Sequence, residues 1–458
     1  LAERVRAELS ADFSSDKPIR ITRAPGRLDV MGGIADYSGS LVCELPLERS
    51  TAVAIQERDD RQLQIFAFNL FDEHKPFTFR VPLAALVEQP IEMLRRDLSE
   101  PGRHWAAYVV GCLVALQHRD RAVERMTRGI NVAIYSTVPS GAGVSSSAAL
   151  EVATMVNLVA HLELNLEPVE IAKACQWAEN HIAGAPCGLM DQMTSCLGQR
   201  GMLLRMVCQP SELKPMLKLP EGIRALGISS GRSHSIAGDA YRRTRVASFM
   251  GHRIIVEAMR TLAARSGREL IADPTGGYLA NVDPDDYKRF FRPLVPEEMR
   301  GQAFVDAHGP IADTATQVDP ATTYLIRHAT DHHVLEARRV RRFVEFLEAA
   351  ASKPVSERKL DLDRAGHLMY ASHQSYGMDA FLGDENCDLL MDMVRRRKSL
   401  GFHGARISGG GCGGTVAVLA NTGAKVDEAV GQVIEEYRQR TGLAAEAFLE
   451  SGDGACGL

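Results

Sequence analysis

Thr137-Val-Pro-Ser-Gly-Ala-Gly-Val-Ser-Ser-Ser-Ala-Ala-Leu-Glu151 is a glycine loop followed by three hydroxyls and then by strong helix formers. The residues before it, Gly129-Ile-Asn-Val-Ala-Ile-Tyr135, alternate as a strand does. Those after it, Ala148 to Ala160, have the composition and pattern of a helix. A strand that feeds a glycine loop into a helix N-terminus makes an anion trap. The first-turn N–H groups have no partner within the helix, and the helix dipole favours negative charge there. Gly141 and Gly143 let backbone approach a ligand closely, and Ser145, Ser146 and Ser147 offer hydroxyls to phosphate oxygens or a metal ion. The lysine of a Walker loop is missing. The same letters also spell a Ser-capped helix after a flexible loop, and the stretch alone leaves both readings open.

Working outward, 458 residues are many for one core, so two domains are expected. The formal charge of −5 argues against a nucleic-acid footprint, while phosphate ligands need only local positive potential. No run of about 18 apolar residues suggests a membrane span. The charged opening, Leu1 to Leu9, lacks a signal-peptide core. Nine cysteines without paired spacing point to reduced thiols in a cytoplasmic protein.

Strands are expected at 19–24, 50–56 and 223–229, and helices at 105–116, 170–182, 240–264, 331–352 and 388–399. The apolar pattern breaks at Gln209-Pro210, which divides the chain into 1–209 and 210–458. Residues 268–325 hold many Pro, Gly and Asp and read as an irregular insertion. The mixture is α+β, with helices covering mixed sheets. Arg338-Arg339-Val-Arg341-Arg342 reads as a solvated helix face. His332 and His333 are adjacent and so point apart, which argues against a shared metal.

Three more segments carry chemistry. Ala24-Pro-Gly-Arg-Leu-Asp-Val-Met-Gly-Gly-Ile-Ala-Asp-Tyr-Ser-Gly39 gathers Arg27, Asp29, Asp36 and Tyr37 among glycines; a sugar hydroxyl wants a carboxylate acceptor such as Asp36. Gln176 to Gln192 carries Glu179 near a helix end and Asp191 between Met190 and Gln192. Gly404-Ala-Arg-Ile-Ser-Gly-Gly-Gly-Cys-Gly-Gly-Thr415 contains a G-x-G-x-x-G string, but a strand follows it where a dinucleotide fold needs a helix. So glycine-rich a loop needs close backbone approach, to a ligand or to another loop.

In order and combination these segments resemble the GHMP kinase superfamily: Pro-Gly-Arg, then Gly-x-Gly-x-Ser-Ser-Ser, then a late Gly-Gly-Gly-x-Gly-Gly. Ala24 to Arg27, Gln176 to Glu179 and Cys187 to Gln192 look like the galactokinase branch, as do the segments around Trp105, His234 to Arg245 and His367 to His373. The resemblance covers most of the chain, with 268–325 the main departure. It implies a two-domain fold with the active site in the cleft between domains, and phosphoryl transfer from ATP with Mg2+ to a small-molecule sugar, without nucleic-acid or membrane partners. It also implies roles. Asp191 takes the proton of the anomeric hydroxyl and Arg27 steadies the developing charge. Gly141, Ala142, Gly143, Val144, Ser145, Ser146 and Ser147 wrap the ATP phosphates. Ser147 and Glu179 are hard oxygen ligands for Mg2+. Asp36 and Tyr241 contact the sugar, and Gly188 lets backbone approach it.

One departure bears on the substrate. Galactokinases have Gly-Glu-His-Thr-Asp-Tyr where this chain has Gly32-Gly-Ile-Ala-Asp-Tyr37. The Glu and His of that pattern serve the hydroxymethyl end of galactose, and Gly33 and Ile34 replace them here. L-arabinopyranose has the galactose ring stereochemistry without that group, and the string from Gly26 to Gly39 also resembles that of the L-arabinokinases. The resemblance therefore implies an L-arabinose 1-kinase, and restoring Glu at 33 and His at 34 is expected to raise galactose use. The competing readings are a galactokinase with relaxed specificity, a kinase for a uronic acid, a non-sugar GHMP kinase, and a catalytically silent sugar and ATP sensor.

Overall fold

The computed structural model describes residues 1–232, 238–267 and 272–456. Among them, β1 (Arg20–Met31), β2 (Leu41–Glu57), β3 (Gln62–Ala67), β4 (Thr78–Pro82), β5 (Ile130–Ser136), β6 (Met202–Val207) and β7 (Glu212–Lys218) form a seven-stranded sheet. The order is β4-β3-β5-β2-β6-β7, with β1 paired to β2. Long β2 organises it: one edge carries β1 along most of its length, and the other carries β6 at Leu41–Glu44 and β5 at Thr51–Glu57. Only β3 and β5 run parallel.

Helices Ala107–Asp120, Ser146–His161, Pro168–Ala178 and Met190–Leu197 bury their apolar sides with this sheet, bringing Val110, Leu113, Val152 and Met155 against Ile55, Ile65 and Val132. Each fully buried Val, Leu or Ile contributes roughly 1.5–3 kcal/mol, so this cluster fixes the frame from which the site projects. Pro168 in the first turn and a Glu167/Glu170 capping box start the third of these helices.

The second sheet contains β8 (Ile223–Ser229), β11 (Phe402–Ile407), β12 (Thr415–Asn421) and β13 (Glu446–Phe448) in the order β11-β12-β8-β13. Helices Glu385–Arg396 and Ala424–Thr441 cover it through Leu390, Met393, Val430 and Val433. Helices Asp239–Arg265 and Ile326–Ala351 pack together, and residues from 272 to 325 lie on them. Leu279, Tyr287 and Phe304 join Met250, Ile254 and Val334 in one core.

Two organisational expectations change. Gln209-Pro210 is the turn of the β6–β7 hairpin, with Val207 opposite Glu212, so dividing the chain at 209 would cut a continuous sheet. The apolar pattern breaks there because the hairpin turns, and the change of sheet comes between Lys218 and Ile223. The chain end also returns to the first sheet, where the amide of Gly452 donates to Pro46 O and that of Ala455 to Ser195 O. Nor is the insertion simply irregular: besides short helical turns, it holds the helix Gly301–His308 and a two-stranded ladder of β9 (Met299–Arg300) and β10 (Thr323–Tyr324). Its residues 268–271, and His234 of the 234–245 segment, lie outside the described residues. Among the described residues no helix is long and apolar enough to cross a membrane. His332 and His333 are both buried, and among the described residues no group of three or more His, Cys, Asp or Glu is placed to hold a metal ion.

Candidate active site

The glycine loop joins β5 to the helix Ser146–His161 as expected. Gly141 and Gly143 have φ of 70° and 73°, and Ser145 at the N-cap has φ 57°. Ser145 makes no side-chain capping bond, and its buried hydroxyl has no hydrogen-bond partner. This favours the ligand-binding reading over the capped-helix reading, because a buried hydroxyl left unpaired costs free energy unless something else engages it. Beside the loop, a cavity of about 680 Å³ is lined by Ser146, Ser147, Asn69, Trp105 and Tyr108 among others.

Strand β1 brings the Pro-Gly-Arg segment against this loop. The Arg27 amide donates to Val144 O at 3.0 Å. A methyl group at Gly26 would lie 2.7 Å from the same oxygen and 2.9 Å from Val138 Cγ1, so only glycine fits. The Arg27 side chain is buried and donates from Nη1 to Gly143 O at 2.9 Å and from Nε to Asp191 Oδ1 at 2.9 Å; Nη2 lies 2.7 Å from the same Oδ1. Asp191 opens the helix Met190–Leu197. Glu44 Oε2 lies 3.2 Å from Arg27 Nε without hydrogen-bond alignment. Burial opposes the Arg27 charge, but Asp191, Glu44 and Asp29 outweigh it and raise its pKa. Burial, with Asp29 nearby, pushes the Glu44 carboxyl well up.

Glu179 lies at the end of helix Pro168–Ala178, where the coil widens over Glu179–Ala183. Its Oε2 accepts from Gln192 Nε2 at 2.6 Å and from Cys187 Sγ at 3.3 Å, and the Ser147 hydroxyl also bonds to the carboxyl. Burial and Asp191 raise its pKa to about 7. A buried carboxylate with so little positive charge around it, next to a hydroxyl at the mouth of the loop, fits a hard divalent cation. Mg2+ takes few protein oxygens and completes its shell with phosphate and water.

The Gly33–Ser38 segment is a 3-10 turn between β1 and β2. Asp36 is buried within it and accepts the Tyr37 amide on Oδ1 at 2.7 Å. Burial and the neighbouring Asp191 push its pKa up to about 7, against the pull of Arg245 and the Tyr37 amide. Gly188 packs on this carboxylate: a methyl group there would lie 1.5 Å from Oδ2. Its first service is thus to make room for Asp36, rather than for backbone approach to a ligand. Tyr241 meets Tyr37 edge to face, ring centroids 6.1 Å apart.

Gly33 has φ 45°, and a methyl group on it would lie 1.7 Å from the Tyr376 hydroxyl and 2.7 Å from Arg406 Nη2. The Tyr376 hydroxyl accepts the Ile34 amide and donates to Gly409 O, both at 2.9 Å. Ile34 itself is buried among Tyr37, Tyr241 and Tyr376. The expected restoration of Glu and His therefore meets an obstacle that the sequence does not display, because position 33 has no room for any side chain.

The late glycine loop packs on another loop. Thr415 Oγ1 donates to Ala142 O at 2.7 Å, and a methyl group at Gly414 would lie 2.6 Å from that oxygen. Asp29 ties it to the first motif. Its Oδ2 accepts from Arg406 Nη1 at 2.7 Å and from the Gly409 amide at 3.0 Å, and its Oδ1 accepts the Gly33 amide at 3.1 Å. The sequence reading missed Arg406, Tyr376, Glu44 and Arg245. Period-two alternation already placed Arg27 and Asp29 on one strand face, and Arg245 follows Tyr241 by one helical turn. Nothing local marked Arg406 or Tyr376.

The structure thus brings Arg27, Asp36, Ser147, Glu179, Gly188, Asp191 and Tyr241 into one connected cluster, with the loop 141–147 along its side. Three family models match the chain: "GHMP kinases N terminal domain" over 107–199, "GHMP kinases C terminal" over 347–439, and "Galactokinase galactose-binding signature" over 8–57. An L-arabinokinase of Arabidopsis thaliana is 34% identical over 492 aligned residues, covering 97% of this chain; the chain spans about half, 46%, of that protein. A galactokinase of Chloroflexus aggregans is 30% identical over 432 residues, covering 94% of this chain and 91% of that protein. Among solved structures, Lactococcus lactis galactokinase complexed with galactose shares the fold, with a TM-score of 0.74 at 20% identity and full coverage of both chains. Methanococcus jannaschii mevalonate kinase follows at 0.54 and 14%, covering 94% and 97%.

Proposed function

Because the chain belongs to the GHMP kinase superfamily and is a sugar kinase of the galactokinase and L-arabinokinase type, we propose that it phosphorylates L-arabinose at O1, giving L-arabinose 1-phosphate and ADP. The observation that carries the pentose reading is at Gly33. Tyr376 and Arg406 fill the space where a polar side chain would serve an exocyclic hydroxymethyl group, and buried Ile34 adds an apolar wall. Asp36 remains to accept ring hydroxyls. The galactokinase relative that spans nearly the whole chain supports the second reading, a galactokinase with relaxed specificity.

In the proposed mechanism the sugar is bound by Asp36 and Tyr241, with O1 directed at Asp191. The O1–H proton passes to Asp191 as the bond from O1 to the γ-phosphorus of ATP forms and the bond to the bridging oxygen breaks, releasing ADP. Arg27 holds Asp191 through Oδ1 and reaches the phosphate loop through Gly143 O, so it fixes the base relative to the phosphates. Amides of the loop 141–147 and the Ser145 hydroxyl receive phosphate oxygens. Ser147 and Glu179 would hold Mg2+, which supplies positive charge to the phosphates when bound. The free cysteines support a reducing, cytoplasmic setting.

An ADP-release assay over a panel of sugars tests this. L-arabinose is expected to exceed D-galactose in kcat/KM by up to about a hundredfold, the most an apolar wall usually achieves against an added hydroxyl. A preference for galactose would overturn the pentose assignment.

A further inference from the structure

We propose that Asp313, supplied by the insertion between the two long helices, is a positioning residue for the sugar pocket: it holds Arg245 away from Asp36. The Arg245 guanidinium is nearly buried and bidentate on Asp313, with Nε to Oδ2 and Nη2 to Oδ1 both at 2.8 Å. Asp313 is itself fixed by the Thr316 hydroxyl at 2.5 Å and the Ala315 amide at 3.2 Å. The remaining guanidinium nitrogen, Nη1, donates to Pro186 O at 3.0 Å, and the guanidinium carbon lies 4.7 Å from the centre of the Tyr37 ring.

These contacts bear on the two chain segments that meet at Asp36. Tyr37 follows Asp36 and donates its amide to it, while Pro186 lies two residues before Gly188, which packs on the Asp36 carboxylate. Arg245 therefore braces both walls of the pocket, and among the described residues Asp313 is its one salt-bridge partner. A buried guanidinium deprived of its carboxylate seeks another. Asp36 is the acidic group available beside it, and an ion pair there would occupy the oxygens that a sugar hydroxyl needs. The insertion thereby keeps the sugar acceptor unpaired. Among the described residues, the charged and titratable groups facing Asp36 are Asp191, Arg27, Arg245, Tyr241, Tyr37 and Cys208. Arg245 is the cation whose partner the insertion controls.

The inference rests on the reading of Asp36 as the sugar acceptor, and its test uses whichever sugar the wild type turns over best. Asp313→Asn is expected to raise the KM for that sugar at least tenfold, with the KM for ATP within twofold. The acid limb of kcat/KM for the sugar should move to lower pH, because a freed Arg245 holds Asp36 ionised. Asp313→Glu should restore the sugar KM to within about threefold. If Asp313→Asn does not fold, Thr316→Val, which removes only the hydroxyl that fixes Asp313, should produce a smaller rise in the same direction. An unchanged sugar KM and acid limb, or an equal rise in both KM values, overturns the inference. A wild-type protein that turns over no sugar overturns the underlying reading instead.

Discussion

Arg27 approaches Asp191 from one side only: Nε and Nη2 both converge on Oδ1, and neither engages Oδ2. The guanidinium thereby anchors the carboxylate through one oxygen and leaves the second for the proton transfer proposed above. A bidentate pair of the fork-to-fork kind would have occupied both.

Replacing Asp191 by Asn keeps the shape and removes the proposed base. Turnover should fall by about 10²–10⁴-fold, while nucleotide affinity, measured with a fluorescent ATP analogue, stays within a few fold. Turnover close to wild type would mean that the base is elsewhere.

Acidity should act on stability through Asp36. Its pKa is about 7 in the fold against an ordinary 3.8. Between roughly pH 4 and 7 the folded protein therefore holds more protons than the unfolded chain, and this group's contribution to stability falls as pH rises. Without ligands, Asp36→Asn should melt at a higher temperature than wild type at pH 8, and the difference should shrink as pH falls below 7 and vanish only below about pH 4, the ordinary carboxyl range. The same variant should lose sugar binding. A difference independent of pH would show that Asp36 does not titrate there.

Position 26 joins two motifs by contact. Gly26→Ala drives a methyl group against Val144 O and Val138. Overpacking of this kind costs about 1–3 kcal/mol, visible in urea denaturation. Because the displaced segment is the proposed phosphate loop, the KM for ATP should rise more than that for the sugar.

Position 33 sets a limit on redesign. Gly33→Glu with Ile34→His, which the sequence alone recommends for gaining galactose activity, should destabilise the protein without improving galactose use. The positive φ and the Tyr376 hydroxyl leave the new side chain no place. A stable double variant with higher relative galactose turnover would refute the packing account of this pocket.

Glu179→Gln should raise the Mg2+ concentration needed for half-maximal rate by at least tenfold, since the proposed metal site loses its carboxylate. Chelation should stop the wild type, and added Mg2+ should restore it. An unchanged requirement would remove Glu179 from the metal site.

The order of motifs and the strand-loop-helix at 129–161 were legible because they depend on local pattern: alternation, glycines at positive φ and a helix start. The groups that create the pocket's shape were not. Tyr376 and Arg406 lie on a helix and a strand far along the chain, and their importance comes from contact with Gly33 and Asp29 across the fold. The hairpin at Gln209-Pro210 was misread for the complementary reason: a local break in the apolar pattern marks a turn as readily as a domain boundary. The insertion's low apolar periodicity concealed Leu279 and Tyr287, which bury singly from short turns, and Phe304, which buries from the helix Gly301–His308.

Asp29 and Arg406, both fully enclosed, are separated by 377 positions of polypeptide. During synthesis the aspartate leaves the ribosome long before its guanidinium partner is made. Until then it must stay hydrated or take up a proton, because an isolated charge is not tolerated in an interior. The first motif therefore cannot lock until Arg406 has been made, and nascent chains cut short before residue 406 should remain open and inactive, however complete their leading sheet.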